Sequence, residues 1–283
     1  MKSGVGYRSL QASESGRLKR ESFRIPSGYM LRIVPAALAI AILVAWEATV
    51  HIRQVSAAII PAPSAVWSAL LRYSMDGTFL SHGWVTLQEI ILGFVLGGIG
   101  GVVLGALIAE FKVLRATIYP YIIILQTIPK VALAPLFLIW FGFGMSSKIL
   151  LAVSMTFFPV VVNTIQGIVS SDRKLIELLQ VYGASTWDVF RQVKFPSALP
   201  AIFAGLEIAI VLSVIAAVIS EFVGATKGLG FLILQFNARL DTASQFAALA
   251  ILSALGYGLN VAVRYAHKRV VFWQSYNAED QGK

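Results

Sequence analysis

The 283-residue chain contains no cysteine, which excludes disulfides, thiolate metal sites and cysteine nucleophiles. Histidine is nearly as scarce, with 3 in the whole chain. No HExxH, GxSxG or GxxxxGK[ST] pattern occurs, so zinc-hydrolase, serine-hydrolase and phosphate-loop chemistry lack their residues. No cofactor or metal site is expected. Charge is thin as well. Asp, Glu, Lys and Arg make up 13% of the chain, about half the share of ~25% typical of a soluble domain.

Apolar runs fill the space instead. Hydrophobic residues reach 57%, the mean hydropathy is +0.77, and several runs approach the roughly 20 residues that a bilayer span needs. Segments 90–109, 149–169 and 242–263 carry no charge; 118–143 carries Lys130, 199–220 carries Glu207, and 33–50 is marred by Glu47. The expected fold is an all-α integral membrane domain of about six transmembrane helices.

The net charge of +9 suggests nucleic acid only until it is placed on this topology. With the N-terminus inside, 7 Lys/Arg precede the first span, 2 lie between spans two and three, 4 between four and five, and 4 after span six; 5 lie outside. The positive-inside bias accounts for the basicity with both termini cytoplasmic and no nucleic-acid partner. Residues 1–30 read as a basic cytoplasmic tail ahead of a signal anchor, 31–267 as the transmembrane domain, and 268–283 as a second cytoplasmic tail.

Local patterns refine the spans. Ser64 stands where it would cap a short interfacial helix on the outer side. Thr86 and Glu89 have capping-box spacing, which predicts that Glu89 opens the second span. Gly93, Gly97, Gly101 and Gly105 recur at four-residue intervals, a stripe that admits a close helix neighbour. In the third span, Pro129 and Pro135 each remove a backbone donor at membrane depth, and broken helices survive there where protein or a cavity satisfies the freed groups. Gln126, Pro129, Lys130 and Pro135 are therefore candidates to line a translocation pathway, with Glu221 as a candidate partner for Lys130. The competing reading makes Lys130 a structural cation that caps the freed carbonyls. Residues 228–236, apolar and punctuated by glycines, read as a short re-entrant or interfacial helix.

One polar segment interrupts the apolar chain. From Asp172, a candidate N-cap, Leu175, Leu178, Leu179 and Tyr182 form one helical stripe. Gly183 follows as a left-handed terminator. Ser185 then caps a second helix, with Asp188 three residues on and Trp187, Phe190 and Val193 on its apolar side. Pro196 is expected to stop that helix and Pro200 to open the next span. A fixed helix–turn–helix with apolar knobs suits docking into a partner's groove.

At this point the chain resembles the permeases of ATP-binding-cassette (ABC) importers. Their EAA loop has a Glu, a Gly six residues later and an apolar-x-Leu-Pro end; here Glu177, Gly183, Val193 and Phe195-Pro196 keep the spacing, with Leu178 and Leu179 in place of two alanines. "IPAPSAVWSAL", "IPKVALAPLFLIWFGFG", "FFPVVVNTIQGI" and "SEFVGATKGLGFLI" resemble the branch that imports nitrate, sulfonates and taurine. Glu207 departs from it, standing where Lys or Arg is more usual.

The resemblance implies a type I importer permease fold in a bacterial inner membrane, with no enzymatic activity of its own. It also implies three protein partners: a cytoplasmic ABC ATPase dimer, a second permease subunit, expected to be identical, and an extracytoplasmic solute-binding protein. Residues 172–196 would be the coupling element, with Glu177, Gly183, Ala184, Ser185, Asp188, Phe190 and Pro196 at the ATPase. The implied cargo is a small anionic solute, with a thiamin-precursor pyrimidine, riboflavin or an aromatic acid as alternatives. A channel or secondary transporter would need no docking loop, and a membrane enzyme would need clustered catalytic side chains.

Overall fold

The computed structural model describes residues 30–273. The expected tail 1–30, apart from Met30 at the first helix start, and most of the expected tail 268–283 lie outside the described residues. The chain divides into two units, Met1–Trp46 and Glu47–Lys283. The first contributes most of helix α1 (Met30–Ile52), which is apolar enough to cross a membrane from Val34 onward.

The second unit holds the remaining helices. These are α2 (Pro63–Met75), α3 (Thr78–Glu110), α4 (Lys112–Thr127), a 3-10 turn (Lys130–Leu133), α5 (Ala134–Phe141) and α6 (Met145–Val169). They are followed by α7 (Arg173–Val181), α8 (Thr186–Val189), a π turn (Phe190–Lys194), α9 (Phe195–Gly224), α10 (Leu229–Ala238) and α11 (Thr242–Val270). Counting the broken pair α4–α5 as one, six spans are present among the described residues.

Helices α3, α6 and α9 form the centre. The glycine stripe of α3 faces a matching four-residue ladder on α6: Gly93 meets Ala152, Gly97 meets Thr156, Gly101 meets Val160 and Gly105 meets Thr164. A Cβ added at Gly101 would stand 2.8 Å from Val160, and one at Gly105 2.7 Å from Thr164. The two backbones therefore touch, and van der Waals contact replaces the solvent-driven force that is missing between helices in lipid. Two apolar clusters extend from this seam. Ile108, Ile122, Val161, Ile165 and Ile202 pack toward the end that carries α7 and α8. Phe79, Leu229, Leu232, Phe236 and Ala247 pack toward the other end, with Ala69 of α2.

Several local expectations change. Ser64 does not cap α2; Ala62 holds that position with Pro63 in the first turn. The carboxylate of Glu47 accepts from the Ser64 backbone N–H (3.0 Å) and hydroxyl (2.7 Å), so a longer side chain reaches in from α1. Glu89 is not at a helix start. The second span begins at Thr78, a turn and more before Thr86, and Glu89 lies buried inside α3. Lys148, in the first turn of α6, is buried and pairs with Glu89. Pro196 does not stop a helix either. The π turn at Phe190–Lys194 widens the backbone just before it, so the missing N–H is tolerated and the helix runs into α9 past Pro200.

Pro129 breaks the third span as expected: α4 and the Lys130–Phe141 segment are bent by 82°. Pro135 differs, since it lies in the first turn of α5, where its missing donor costs no hydrogen bond.

Candidate functional site

The segment between α6 and α9 is built by its caps. The Asp172 side chain accepts from Lys174 N at 2.8 Å and starts α7. The helix ends in a Schellman motif: Gly183 N donates to Gln180 O and Ala184 N to Leu179 O, each at 3.0 Å. Gly183 has φ +80°, the left-handed conformation that this motif asks of a glycine. Ser185 and Asp188 then form a reciprocal capping box, with Asp188 N on the Ser185 hydroxyl (3.2 Å) and Ser185 N on the Asp188 carboxylate (3.0 Å). Five backbone donors are thereby satisfied within 17 residues, without help from the rest of the fold.

The geometry leaves the apolar knobs outward. Leu175, Leu178, Tyr182 and Trp187 are exposed, Tyr182 by 81%, and Glu177 stands exposed on the same short helix. Phe190 points the other way. It stacks on Trp187 at 5.6 Å, lies 5.9 Å from Phe195 and packs on the Ile108–Ile202 cluster. Val189, which sequence periodicity did not single out, is buried beside it.

The segment is fastened to the bundle by Lys194, whose ammonium meets both oxygens of Glu110 at 2.8 Å at the end of α3. That pair was not foreseen, because it joins residues 84 positions apart. An apolar groove of about 820 Å³ lies alongside, lined by Val103, Leu107, Phe111, Trp187 and Phe195.

The candidate pathway residues fall in two places. Gln126, Pro129, Lys130 and Pro135 share the broken span, where Gln126, Pro129 and Pro135 are exposed and Lys130 is half-buried. Lys130 Nζ donates to Gln126 O at 2.8 Å and Ile128 O at 3.4 Å, the carbonyls at the break, and sits 4.8 Å from the Phe158 ring centroid. Its observed bonds are those of a cation capping a broken helix.

Glu221 does not join these residues. It is buried at the far end of α9, where Thr86 donates to one oxygen at 2.7 Å and Gly230 N to the other. Glu89 and Lys148 lie beside it, paired at 2.6 Å. Glu207, the departure from the expected pattern, bonds His267 of α11 at 2.8 Å and lies 3.7 Å from Arg264. His267 thus belongs to the last turn of α11 and stacks on Phe203 at 5.0 Å. Similarly, His51 and His82 lie within α1 and α3.

Five apolar helices and one broken pair long enough to cross a membrane, with a polar, locally capped segment between α6 and α9, define a multi-pass membrane protein. A family model described as "Binding-protein-dependent transport system inner membrane component" matches residues 101–272, and the chain belongs to that family of inner-membrane ABC importer permeases. It is 35% identical over 234 residues to the riboflavin transport system permease protein RibX of Chloroflexus aurantiacus, covering 83% of this chain and 87% of that one. It is 32% identical over 241 residues to the formylaminopyrimidine transport permease protein ThiX of Halalkalibacterium halodurans, covering 85% and 95%. It is 29% identical over 267 residues to the putative aliphatic sulfonates transport permease protein SsuC of Bacillus subtilis, covering 94% and 96%. Among solved structures, the MetNI methionine ABC transporter in an inward-facing conformation shares the fold, with a TM-score of 0.57 at 21% identity, over 70% of this chain and 96% of that chain.

Proposed function

We propose that this ABC importer permease carries a small organic anion of the sulfonate or taurine class, handed to it by an extracytoplasmic solute-binding protein. A cytoplasmic ABC ATPase dimer docks on residues 172–196 and drives the cycle, and a second copy of the chain completes the pathway. The observation that carries the coupling role is the capped α7–α8 segment, which holds its own shape and turns Leu175, Leu178, Tyr182 and Trp187 outward. In this reading Gly183, Ala184, Ser185 and Asp188 set that shape, Glu177 stands exposed to the ATPase, and Phe190 and Pro196 seat the segment on α9.

Lys130 supports the anionic cargo. Its ammonium meets carbonyls and a ring but no carboxylate among the described residues, so it keeps a positive field at the break in the third span. A planar heteroaromatic cargo is the second reading. It is favoured by the exposed rings of Tyr121, Trp140 and Phe141 on the same span and by the identity to permeases named for riboflavin and formylaminopyrimidine.

The test is ATP hydrolysis by proteoliposomes holding the permease, its ATPase and its binding protein. Taurine or an alkanesulfonate should stimulate turnover in the wild type and much less with Lys130→Gln. Stimulation by riboflavin or formylaminopyrimidine alone, unchanged in that variant, would replace the anion with the planar cargo.

A further inference from the structure

The three ionisable groups where α3, α6 and α9 meet are fully enclosed: Glu89 is 0%, Glu221 1% and Lys148 6% exposed. Leu229 N donates to the Thr86 hydroxyl oxygen at 2.8 Å, and of the two acceptors open to the Thr86 proton, Glu221 Oε1 at 2.7 Å is nearer than the His82 carbonyl at 3.3 Å. Gly230 N donates to Glu221 Oε2. Both oxygens of Glu221 therefore accept, as an ionised carboxylate does.

Glu89 Oε1 accepts from the Lys148 ammonium at 2.6 Å. Glu89 Oε2 is the one buried side-chain polar atom with no hydrogen-bond partner among the described residues. The two carboxyls share one enclosed pocket: Glu221 is held by Thr86, one turn of α3 before Glu89, and both are closed off from solvent. Two anions in contact away from water, with one cation between them, are strongly disfavoured, and an orphaned buried oxygen asks for an explanation. One hydrogen resolves both.

We propose that the cluster is a proton-binding site: Glu89 Oε2 carries a proton and donates it to the Glu221 carboxylate, fastening the α9–α10 turn to α3. With that proton bound, Lys148 and Glu221 balance and the cluster is neutral. The remaining titratable groups nearby are His82, whose Nδ1 accepts from Gly228 N at 3.1 Å, and Lys227 in the turn. Helices α5 and α10 carry no ionisable residue. The site lies at the opposite end of α9 from residues 172–196 and stands independently of the cargo.

The arrangement makes the two glutamates unequal. Glu89→Gln reproduces the protonated form: its oxygen still accepts from Lys148 and its amide N–H donates to Glu221. Glu221→Gln instead sets its amide N–H against the Gly230 N–H, or else forces the Thr86 proton off to the more distant His82 carbonyl. The full chain, purified in detergent, should melt within about 2 °C of wild type as Glu89→Gln at pH 7, and lower by about 6 °C or more as Glu221→Gln.

Linkage gives a second reading of the same proton. The folded chain holds a proton that the unfolded chain releases above its ordinary carboxylate range, so stability falls as pH rises. The wild-type melting temperature should fall as pH rises above the ordinary carboxylate range, relative to Glu89→Gln, in which that slope is absent. Infrared spectra should show a protonated-carboxyl carbonyl band at neutral pH in the wild type and none in Glu89→Gln. A Glu89→Gln protein as unstable as Glu221→Gln, with wild-type melting that depends on sodium, would make the occupant a metal cation and overturn the proposal. So would absence of the infrared band in the wild type.

Discussion

The α3–α6 seam and the α7–α8 segment solve opposite problems. In the seam, side chains are deleted so that backbones meet: four glycines of α3 lie against Ala152, Thr156, Val160 and Thr164. In the α7–α8 segment, side chains are kept outward and the backbone is closed by local caps. The seam derives its order from its neighbours, whereas the segment derives its order from itself. A bundle in lipid needs the first device, because apolar faces gain nothing from leaving water. A surface that receives a partner needs the second, because its large side chains must stay uncovered until the partner arrives.

The largest effect should come from the seam. Gly97→Val would drive a side chain into Thr156 and the backbone behind it, at a cost of about 3 kcal/mol or more if the helices separate. The expected outcome is little or no chain in the membrane fraction, read by quantitative immunoblot. Normal accumulation would show that α3 and α6 can part without loss.

Next is Gly183. No atom lies within 4 Å of where its Cβ would be, so only the backbone φ of +80° resists substitution. Gly183→Val should cost about 1–2 kcal/mol locally, leave membrane levels intact and weaken ATPase association. Gly183→Asn should be much milder, since Asn tolerates that conformation. Equal binding by all three proteins, measured by co-purification, would detach the turn from docking.

These two positions also mark what was legible beforehand. The glycine stripe and the Leu175–Tyr182 stripe are periodic, and Gly183 and Ser185 act on their immediate neighbours, so each could be read from a short window. The spans were legible for the same reason: hydropathy is local. Glu89 was misread because its partners, Lys148 and Glu221, come from two other helices, and without them a buried carboxylate looks impossible. Lys194 with Glu110, and Glu47 on Ser64, are likewise long-range. Pro196 failed differently. A proline reads as a stop unless a π turn precedes it, and no residue between Phe190 and Lys194 announces one.

A smaller effect is expected at Tyr182. Exposed by 81%, it should tolerate Tyr182→Ser within about 0.5 kcal/mol of wild-type stability, yet lower affinity for the ATPase by about tenfold if it anchors the docked partner. Thermal melting and pull-down on the same preparations separate the two. The smallest structural effect belongs to Lys130→Gln, which keeps a donor for the Gln126 carbonyl while removing the charge. Melting should be unchanged within about 0.5 kcal/mol, and only cargo-stimulated turnover should fall.

The docking role can be tested by placing a single cysteine in this cysteine-free chain. Trp187→Cys and Met75→Cys, both exposed positions, would be co-expressed with the ATPase subunit and treated with a short thiol-to-amine crosslinker in membranes. The predicted result is a permease–ATPase adduct from Trp187→Cys and none from Met75→Cys. An adduct from Met75→Cys alone would put the ATPase at the opposite end of the bundle and contradict the assignment of residues 172–196.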